Sequence, residues 1–283
     1  MKKIFLTGST GFLGSKFVEL YSNKYEIFGT AKHDLNNPID LLDFEKLKSA
    51  FLDFKPDFVI HTSAIVDQDA EKVKVPNIKS TENIVTLAKI NQTPIIFPSS
   101  ESVYGGKETT GDYVESDVYK PRSVYGETKV ESEKIIINSG LNYLIIRCHR
   151  FVGFNKNYNK PKQFLDTINL LLNNQEVHLD SKKLFKPCFL NNICEVFDYY
   201  MENDFDKKVI LNLGVDKVTT YYDFIVDVAK KLNINIDLIF PDGEEKFWPE
   251  NSTLNTDKLR EIRFPQISYS ELVERLKNEF EEK

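Results

Sequence analysis

The sequence predicts an α/β protein: a doubly wound parallel sheet with a smaller C-terminal lobe. Three observations lead there. Short apolar runs alternate with amphipathic segments through the first half of the chain. The runs are continuously apolar, as strands covered on both faces must be. A glycine triplet, "TGSTGFLG", joins the first run to the first amphipathic segment, which is the strand–loop–helix setting of a Rossmann-type dinucleotide site.

The elements follow in order. "KIFLTG" (3–8) reads as a strand, and "GFLGSKFVELYSN" (11–23) as a helix with Phe12, Leu13, Phe17, Leu20 and Tyr21 on one side. "EIFGTA" (26–31), "DFVIHTSA" (57–64), "PIIFPSS" (94–100) and "YLIIRC" (143–148) are further strands. Between them lie helices at 44–54, at about 77–91 and from "VYGETK" onward. Beyond about residue 150 the pattern loosens. "QFLDTINLLLNN" (163–174) reads as a helix, and "VILNLG" (209–214) as a strand. The following "TTYYDFIVDVAKKL" is a helix capped by Thr219 or Thr220, and the pair reads as one more strand–helix unit of the main sheet. A charged amphipathic helix ends the chain. Residues 1–150 with about 191–234 are expected to form the dinucleotide-binding domain. Residues about 151–190 and 235–283 are expected to form a substrate-binding lobe over the carboxyl edge, where open α/β sheets bind ligands.

With 283 residues, 28% charged and 41% hydrophobic, the composition is that of an ordinary globular protein with room for one large core and an appended lobe. A net charge of -6 and a pI near 5.4 argue against a nucleic-acid or anionic-membrane partner, which would need a basic face. Cys148, Cys188 and Cys194 form no CxxC pair. With no signal peptide recognisable, they point to a reducing, cytoplasmic setting. No apolar run approaches the roughly 18–20 residues of a membrane span, and no metal site is expected.

Gly8, Gly11 and Gly14 stand in G-x-x-G-x-x-G spacing. Such a loop allows a tight turn, close approach of backbone to a pyrophosphate, and a helix N-terminus aimed at the anion. The choice of dinucleotide is read at the end of the second strand, where NAD sites usually place an acid. This chain reads "GTAKHD", with Lys32 at the expected place and Asp34 slightly late. A cation suits a 2′-phosphate, so NADP(H) is favoured, with NAD(H) as the alternative; equally, Lys32 is read as solvated surface. Asp40 and Leu41 are expected beside the adenine, or Asp40 is a plain helix-entry acid.

In "RSVYGETKVESE", Tyr125 and Lys129 lie four residues apart, on one face of a helix. A lysine ammonium near the hydroxyl would pull the phenol below its ordinary pKa of about 10. The tyrosine would then protonate a carbonyl oxygen while hydride reaches the carbon. Alone, the pair reads equally as an aromatic packed on a lysine stem.

Together, "TGSTGFLG", "FPSSESVYGG" and "VYGETK" resemble the extended short-chain dehydrogenase/reductases. Within them the chain is most similar to the dTDP-4-dehydrorhamnose reductase type, which reduces the 4-keto group of a nucleotide-activated sugar. "KPDFVIHTSA", "PNIKSTENIV", "IIRCHRFVG" and "WPENSTLNTDKL" extend the similarity along the chain. The resemblance implies Ser100, Tyr125 and Lys129 as the catalytic set. Ser100 would hydrogen-bond the substrate carbonyl, or else cap a strand end. It implies cofactor contacts at Thr10, Phe12, Leu13, Ser63, Ala64 and Asn77, and at His61 unless that is an ordinary strand-end histidine. Tyr125 and Lys129 would touch the cofactor too. Substrate contacts fall on Glu101, Ser102, His149, Trp248 and Asn251, and on Arg147 unless it forms a structural ion pair. A homodimer through the helices at 77–91 and 125–139 is the arrangement many such relatives use.

Departures matter equally. Related 4,6-dehydratases read T-D-E-V-Y-G where this chain has Ser100–Glu101–Ser102–Val103–Tyr104, so the second acid that elimination needs is missing. Epimerase-reductases of GDP sugars carry cysteine where this chain has Ser102. The family's Arg-Pro is Trp248–Pro249, and an indole cannot fork onto a phosphate. Two alternatives to the 4-keto reductase remain. One is a nucleotide-sugar 4-epimerase that holds NAD tightly. The other is a non-catalytic regulatory subunit of the same fold.

Overall fold

The computed structural model describes residues 1–67, 69–105, 111–158, 160, 162–203, 208–244 and 249–282. Its centre is a six-stranded parallel sheet of β1 (Lys3–Thr7), β2 (Glu26–Thr30), β3 (Phe58–His61), β4 (Ile95–Ser100), β5 (Tyr143–Cys148) and β6 (Lys208–Leu213), in the order β6-β5-β4-β3-β1-β2. The chain moves outward from β1 to β2, then returns to lay β3 on the other side of β1. The reversal between β1 and β3 opens the crevice where doubly wound sheets bind ligands. Register aligns the carboxyl ends: Thr7 pairs with Thr30 and His61, and Cys148 with Ser100 and Leu213.

Helices α1 (Phe12–Tyr21), α2 (Phe44–Phe54), α3 (Ala70–Ala88) and α4 (Val124–Ile137) connect the first strands. They are followed by α5 (Gln163–Leu172), α6 (Leu190–Glu202), α7 (Tyr221–Lys231), α8 (Asp257–Glu261) and α9 (Tyr269–Glu281). Successive strand residues point to opposite faces, and both faces are apolar. Ile4 and Leu6 join Phe17, Phe197 and Tyr200 beneath α1 and α6. Phe5 joins Leu47, Phe51, Ile84 and Ile136 beneath α2, α3 and α4. That is why the strands read as unbroken apolar runs.

A second core gathers Phe164, Ile168, Phe224, Val228, Leu272 and Leu276 from α5, α7 and α9 with Val152 from the 151–152 strand. Two short pairings outside the central sheet, of 184–185 with 219–220 and of 151–152 with 188–189, join the segments that enter this core. Three expectations need correcting. The 191–234 segment divides: α6 and β6 pack on the sheet, whereas α7 packs in the second core because its apolar stripe matches α9. The 235–283 segment divides too, since Leu259 and Phe264 rest against the α1–α6 side of the sheet. Finally, α3 begins at Ala70 and runs through Pro76, which removes one N–H donor without ending the helix. No helix among the described residues is long and apolar enough to cross a membrane.

Candidate active site

The glycine loop leaves β1 with Gly8 at φ +72°, and its N–H donates to Thr30 O at 2.7 Å. A Cβ on Gly8 would meet Thr62 Oγ1 at 2.8 Å and Ser63 N at 2.9 Å, and one on Gly14 would meet Gly8 O at 2.2 Å. Both sites demand glycine because backbone touches backbone there. Gly11 is the N-cap of α1 and supplies no side-chain acceptor. The N–H groups of the first turn, around Phe12 and Leu13, are therefore available to an anion. The side chains of Phe12 and Leu13 are core, and Thr10 is exposed at the loop tip. This cradle fits a dinucleotide pyrophosphate.

At the end of β2 the charges are arranged differently from the sequence expectation. Lys32 pairs with Asp40 at 2.8 Å, and that ammonium holds the Asp40 carboxyl below its ordinary range, helped by the Leu42 N–H. Asp34, not Lys32, reaches back to the glycine loop, accepting from Ser9 Oγ at 2.7 Å. Leu41 is buried among Phe5, Leu47 and Phe51, which corrects its assignment to the adenine.

One small cavity is lined by Ser63, Ala64, Asn77, Phe97, Thr128 and Lys129, so four of the expected cofactor residues do converge. Asn77 Oδ1 accepts from Ile65 N at 2.8 Å, and its Nδ2 donates to Thr128 Oγ1 at 3.2 Å. It fastens the loop after β3 to α4 rather than touching the lysine. His61 is a correction. Its ring nitrogens lie 2.7 Å from Thr7 Oγ1 and 3.2 Å from Thr81 Oγ1, and burial pushes its pKa down to about 3. It is a neutral strand-end group inside the fold.

Ser123 caps α4 by accepting from Gly126 N at 3.0 Å, which starts the helix beside the end of β4. Gly126 lets α4 approach closely, since a Cβ there would meet Ser102 O at 2.4 Å. Lys129 is buried, donates from Nζ to Pro98 O at 2.8 Å and lies 5.6 Å from the Tyr125 ring centroid. Desolvation lowers its pKa to about 8 against the pull of Glu133. Tyr125 runs against expectation: its pKa is raised, first by burial and then by the charges of Glu101 and Cys148. Its hydroxyl makes no hydrogen bond to a described residue. It therefore carries its proton throughout the neutral range.

Ser100 Oγ donates to Glu101 Oε2 at 2.8 Å and accepts from Ser102 N at 3.1 Å. Burial pushes the Glu101 carboxyl up to about 7, against the bond from Ser100 and the charge of Arg150. The Ser102 hydroxyl is buried without a hydrogen-bond partner, a polar atom that a bound substrate would satisfy. Arg147 corrects another expectation. It is 1% exposed, and its Nη2 lies 2.7 Å from Glu133 Oε2 and donates to Tyr119 Oη at 2.9 Å. The ion-pair alternative is the one the fold adopts.

Towards the lobe, His149 Nε2 meets Ser252 Oγ and its Nδ1 accepts from Arg150 N at 2.7 Å. Burial and Arg150 hold its pKa well down, so it is neutral. His149, Arg150, Lys183, Phe185, Tyr221 and Ser252 line one pocket, and the Arg150 guanidinium lies 4.3 Å from the Tyr221 ring centroid. Sequence reasoning missed Lys183, Phe185 and Tyr221, which come from segments with no motif. Asn251 Oδ1 accepts from Thr253 N at 3.1 Å, shaping a turn. Trp248 lies outside the described residues.

A family model described as the RmlD substrate binding domain matches residues 1–282. By sequence, the chain is similar to methionine adenosyltransferase 2 subunit beta of Xenopus tropicalis, 24% identical over 282 residues, covering 94% of this chain and 84% of the relative. It is also similar to dTDP-4-dehydrorhamnose reductase of Aggregatibacter actinomycetemcomitans, 22% identical over 285 residues, covering 92% and 93%. By structure, it is similar to a dTDP-4-dehydrorhamnose reductase of Bacillus anthracis in complex with NADP. That likeness has a TM-score of 0.86 at 19% identity and covers 100% of both chains; it establishes the fold.

Proposed function

The chain belongs to the RmlD substrate binding domain family, and from that premise we propose that it reduces the 4-keto group of a nucleotide-linked deoxy sugar. The observation that supports the reading is that Lys129 lies 5.6 Å from the Tyr125 ring on α4 and that α4 packs against the 101–103 turn capped by Ser100.

Gly8, Gly11, Gly14 and the first-turn N–H groups of α1 would hold the pyrophosphate of a nicotinamide dinucleotide, with Ser63, Ala64, Asn77 and Lys129 around its other half. When bound, that cofactor supplies the hydride. Tyr125 delivers the proton from Oη to the carbonyl oxygen as charge develops there, and Ser100 hydrogen-bonds the same oxygen. A phenol with a raised pKa is a weak acid. The Lys129 ammonium, charged below about pH 8, offsets this by stabilising the phenolate that forms. Arg150 and Lys183 would face the sugar diphosphate from the pocket beside His149. NADP(H) is favoured by Lys32 and by the named structural relative; Asp34 at the glycine loop supports NAD(H).

The test follows nicotinamide absorbance with NADPH and NADH against dTDP-, UDP- and GDP-linked 4-keto-6-deoxy sugars. Oxidation is expected with at least one sugar, and Tyr125→Phe should lose about 10²–10⁴ of the rate. An unchanged rate in Tyr125→Phe would remove the catalytic assignment. Purification with stoichiometric bound NAD would favour the 4-epimerase. One observation favours a regulatory subunit, namely the similarity to methionine adenosyltransferase 2 subunit beta. No oxidation with any sugar would leave that reading standing.

A further inference from the structure

Ser100 has a single hydroxyl proton, and in the folded chain that proton is already committed. Oγ donates it to Glu101 Oε2 at 2.8 Å, while the Ser102 N–H occupies one acceptor position at 3.1 Å. A serine holding this arrangement has nothing left to give a carbonyl oxygen. We propose that Glu101 is a positioning residue that gates Ser100: neutral Glu101 releases the hydroxyl proton to the substrate carbonyl, and ionised Glu101 retains it.

The gate rests on the reductase reading, because it needs a carbonyl for Ser100 to serve. Its physical basis is a competition between two acceptors. A carboxylate accepts a charge-assisted bond, roughly twice as strong as one to a neutral oxygen, so ionised Glu101 outcompetes a ketone. Once protonated, Glu101 becomes a donor. Its O–H turns to Ser100 Oγ, and the Ser100 O–H turns to the substrate. No covalent bond is made or broken at either residue; only the direction of two hydrogen bonds reverses, and the proton that reaches the product oxygen still leaves Tyr125.

Glu101 can exist in both forms because of where it sits. It is 8% exposed, in the turn that follows β4. The groups facing it are Tyr125 from α4, Cys148 at the end of β5, and Arg150 just beyond. Lys129 of α4 acts on Cys148. Arg150 favours the carboxylate and burial opposes it, with burial dominant, so the carboxyl titrates near neutrality. Glu101 therefore changes form in a range where Tyr125 does not.

Three variants of the full chain test this: Glu101→Gln, Glu101→Asp and Ser100→Ala. The primary readout is kcat/KM against pH with NADPH and the sugar nucleotide that gives turnover. Between pH 6 and pH 8 the wild type should lose about tenfold through Glu101 alone. In Glu101→Gln, whatever its absolute rate, the loss should shrink to about twofold, the share expected from Lys129. Glu101→Asp should keep a limb of the wild-type kind, because it keeps an ionisable group. The infrared carbonyl band of a protonated carboxyl should disappear as pH rises through neutrality in the wild type. It should be absent in Glu101→Gln, and in Ser100→Ala it should shift as its bond to the serine is lost. Turnover whose limb survives in Glu101→Gln, or a band that does not titrate, overturns the gate alone. A wild type that oxidises neither NADPH nor NADH at any pH sinks the reductase reading and the gate with it.

Discussion

Two buried glutamates flank the proposed catalytic residues, and they are treated in opposite ways. Glu133, on α4 one turn beyond Lys129, is 0% exposed. It accepts from Arg147 Nε at 3.1 Å and Nη2 at 2.7 Å, from Tyr119 Oη at 2.8 Å, and from Ser99 Oγ. Glu101 is nearly as buried, yet its carboxyl has one side-chain hydrogen bond, from Ser100 Oγ at 2.8 Å, helped by the backbone N–H groups of Glu101 and Ser102 and by the charge of Arg150. Burying a carboxylate is tolerable when its oxygens are paired and costly when they are not. So the first acid serves as a charged strut between α4 and β5, and the second is free to change its proton. Burial alone does not distinguish the two acids; the guanidinium forked onto Glu133 does.

Four experiments break or sharpen that contrast. The largest effect belongs to Tyr125: Tyr125→Phe should cut kcat/KM by about 10²–10⁴ with little change in stability, read from nicotinamide absorbance and urea unfolding. Next, Glu133→Ala should lose about 3–5 kcal/mol in urea unfolding, because it strands the Arg147 charge in the interior. The same variant removes the charge that supports the Lys129 ammonium, so the high-pH limb of the rate should move below about pH 8. If Glu133→Ala unfolds no more readily than wild type, the strut is not one.

Glu101→Gln should act in the opposite sense. The folded carboxyl titrates at about 7, above its ordinary 4.5, so the fold prefers the neutral form. That contribution is fully present below the unfolded value and is lost as pH rises through about 7. Glutamine removes the loss, so thermal or urea unfolding above pH 7 should report a gain of up to about 3 kcal/mol. A variant destabilised at pH 8 would place Glu101 with Glu133 instead. The smallest effect concerns the exposed end of β2. Asp34→Ala should raise the preference for NADPH over NADH, and Lys32→Ala should lower it. Each change should be worth no more than about 1 kcal/mol for such solvated charges, read from the ratio of kcat/KM values.

The glycine loop and the Tyr125–Lys129 spacing were legible in the sequence because they rest on local geometry. Gly8 needs φ +72° and Gly14 needs contact with Gly8 O, and both follow from a loop eight residues into the chain. Tyr125 and Lys129 share a helix face at four-residue spacing whatever else the fold does. What misled was any residue whose role depends on a distant neighbour. His61 reads as a cofactor contact until Thr7 and Thr81 take both its nitrogens. Leu41 reads as an adenine contact until the core closes over it, and Arg147 as a substrate contact until Glu133 meets it. Asp34 reads as slightly late in the sequence, yet it accepts from Ser9 Oγ at 2.7 Å. Lys183, Phe185 and Tyr221 carry no motif and reach their pocket only through the second core.

By itself, the sequence determined the strand–helix alternation, the glycine cradle and the spacing of Tyr125 and Lys129. Each is set by backbone conformation or helical periodicity within a few residues. Only the tertiary structure decided how the charges behave. Burial raises the Tyr125 phenol instead of letting Lys129 lower it, splits two similar glutamates into a strut and a proton carrier, and ties Ser100 to one of them. Those outcomes depend on desolvation and on partners brought together from several elements, and desolvation is a property of the packed molecule rather than of any segment of its chain.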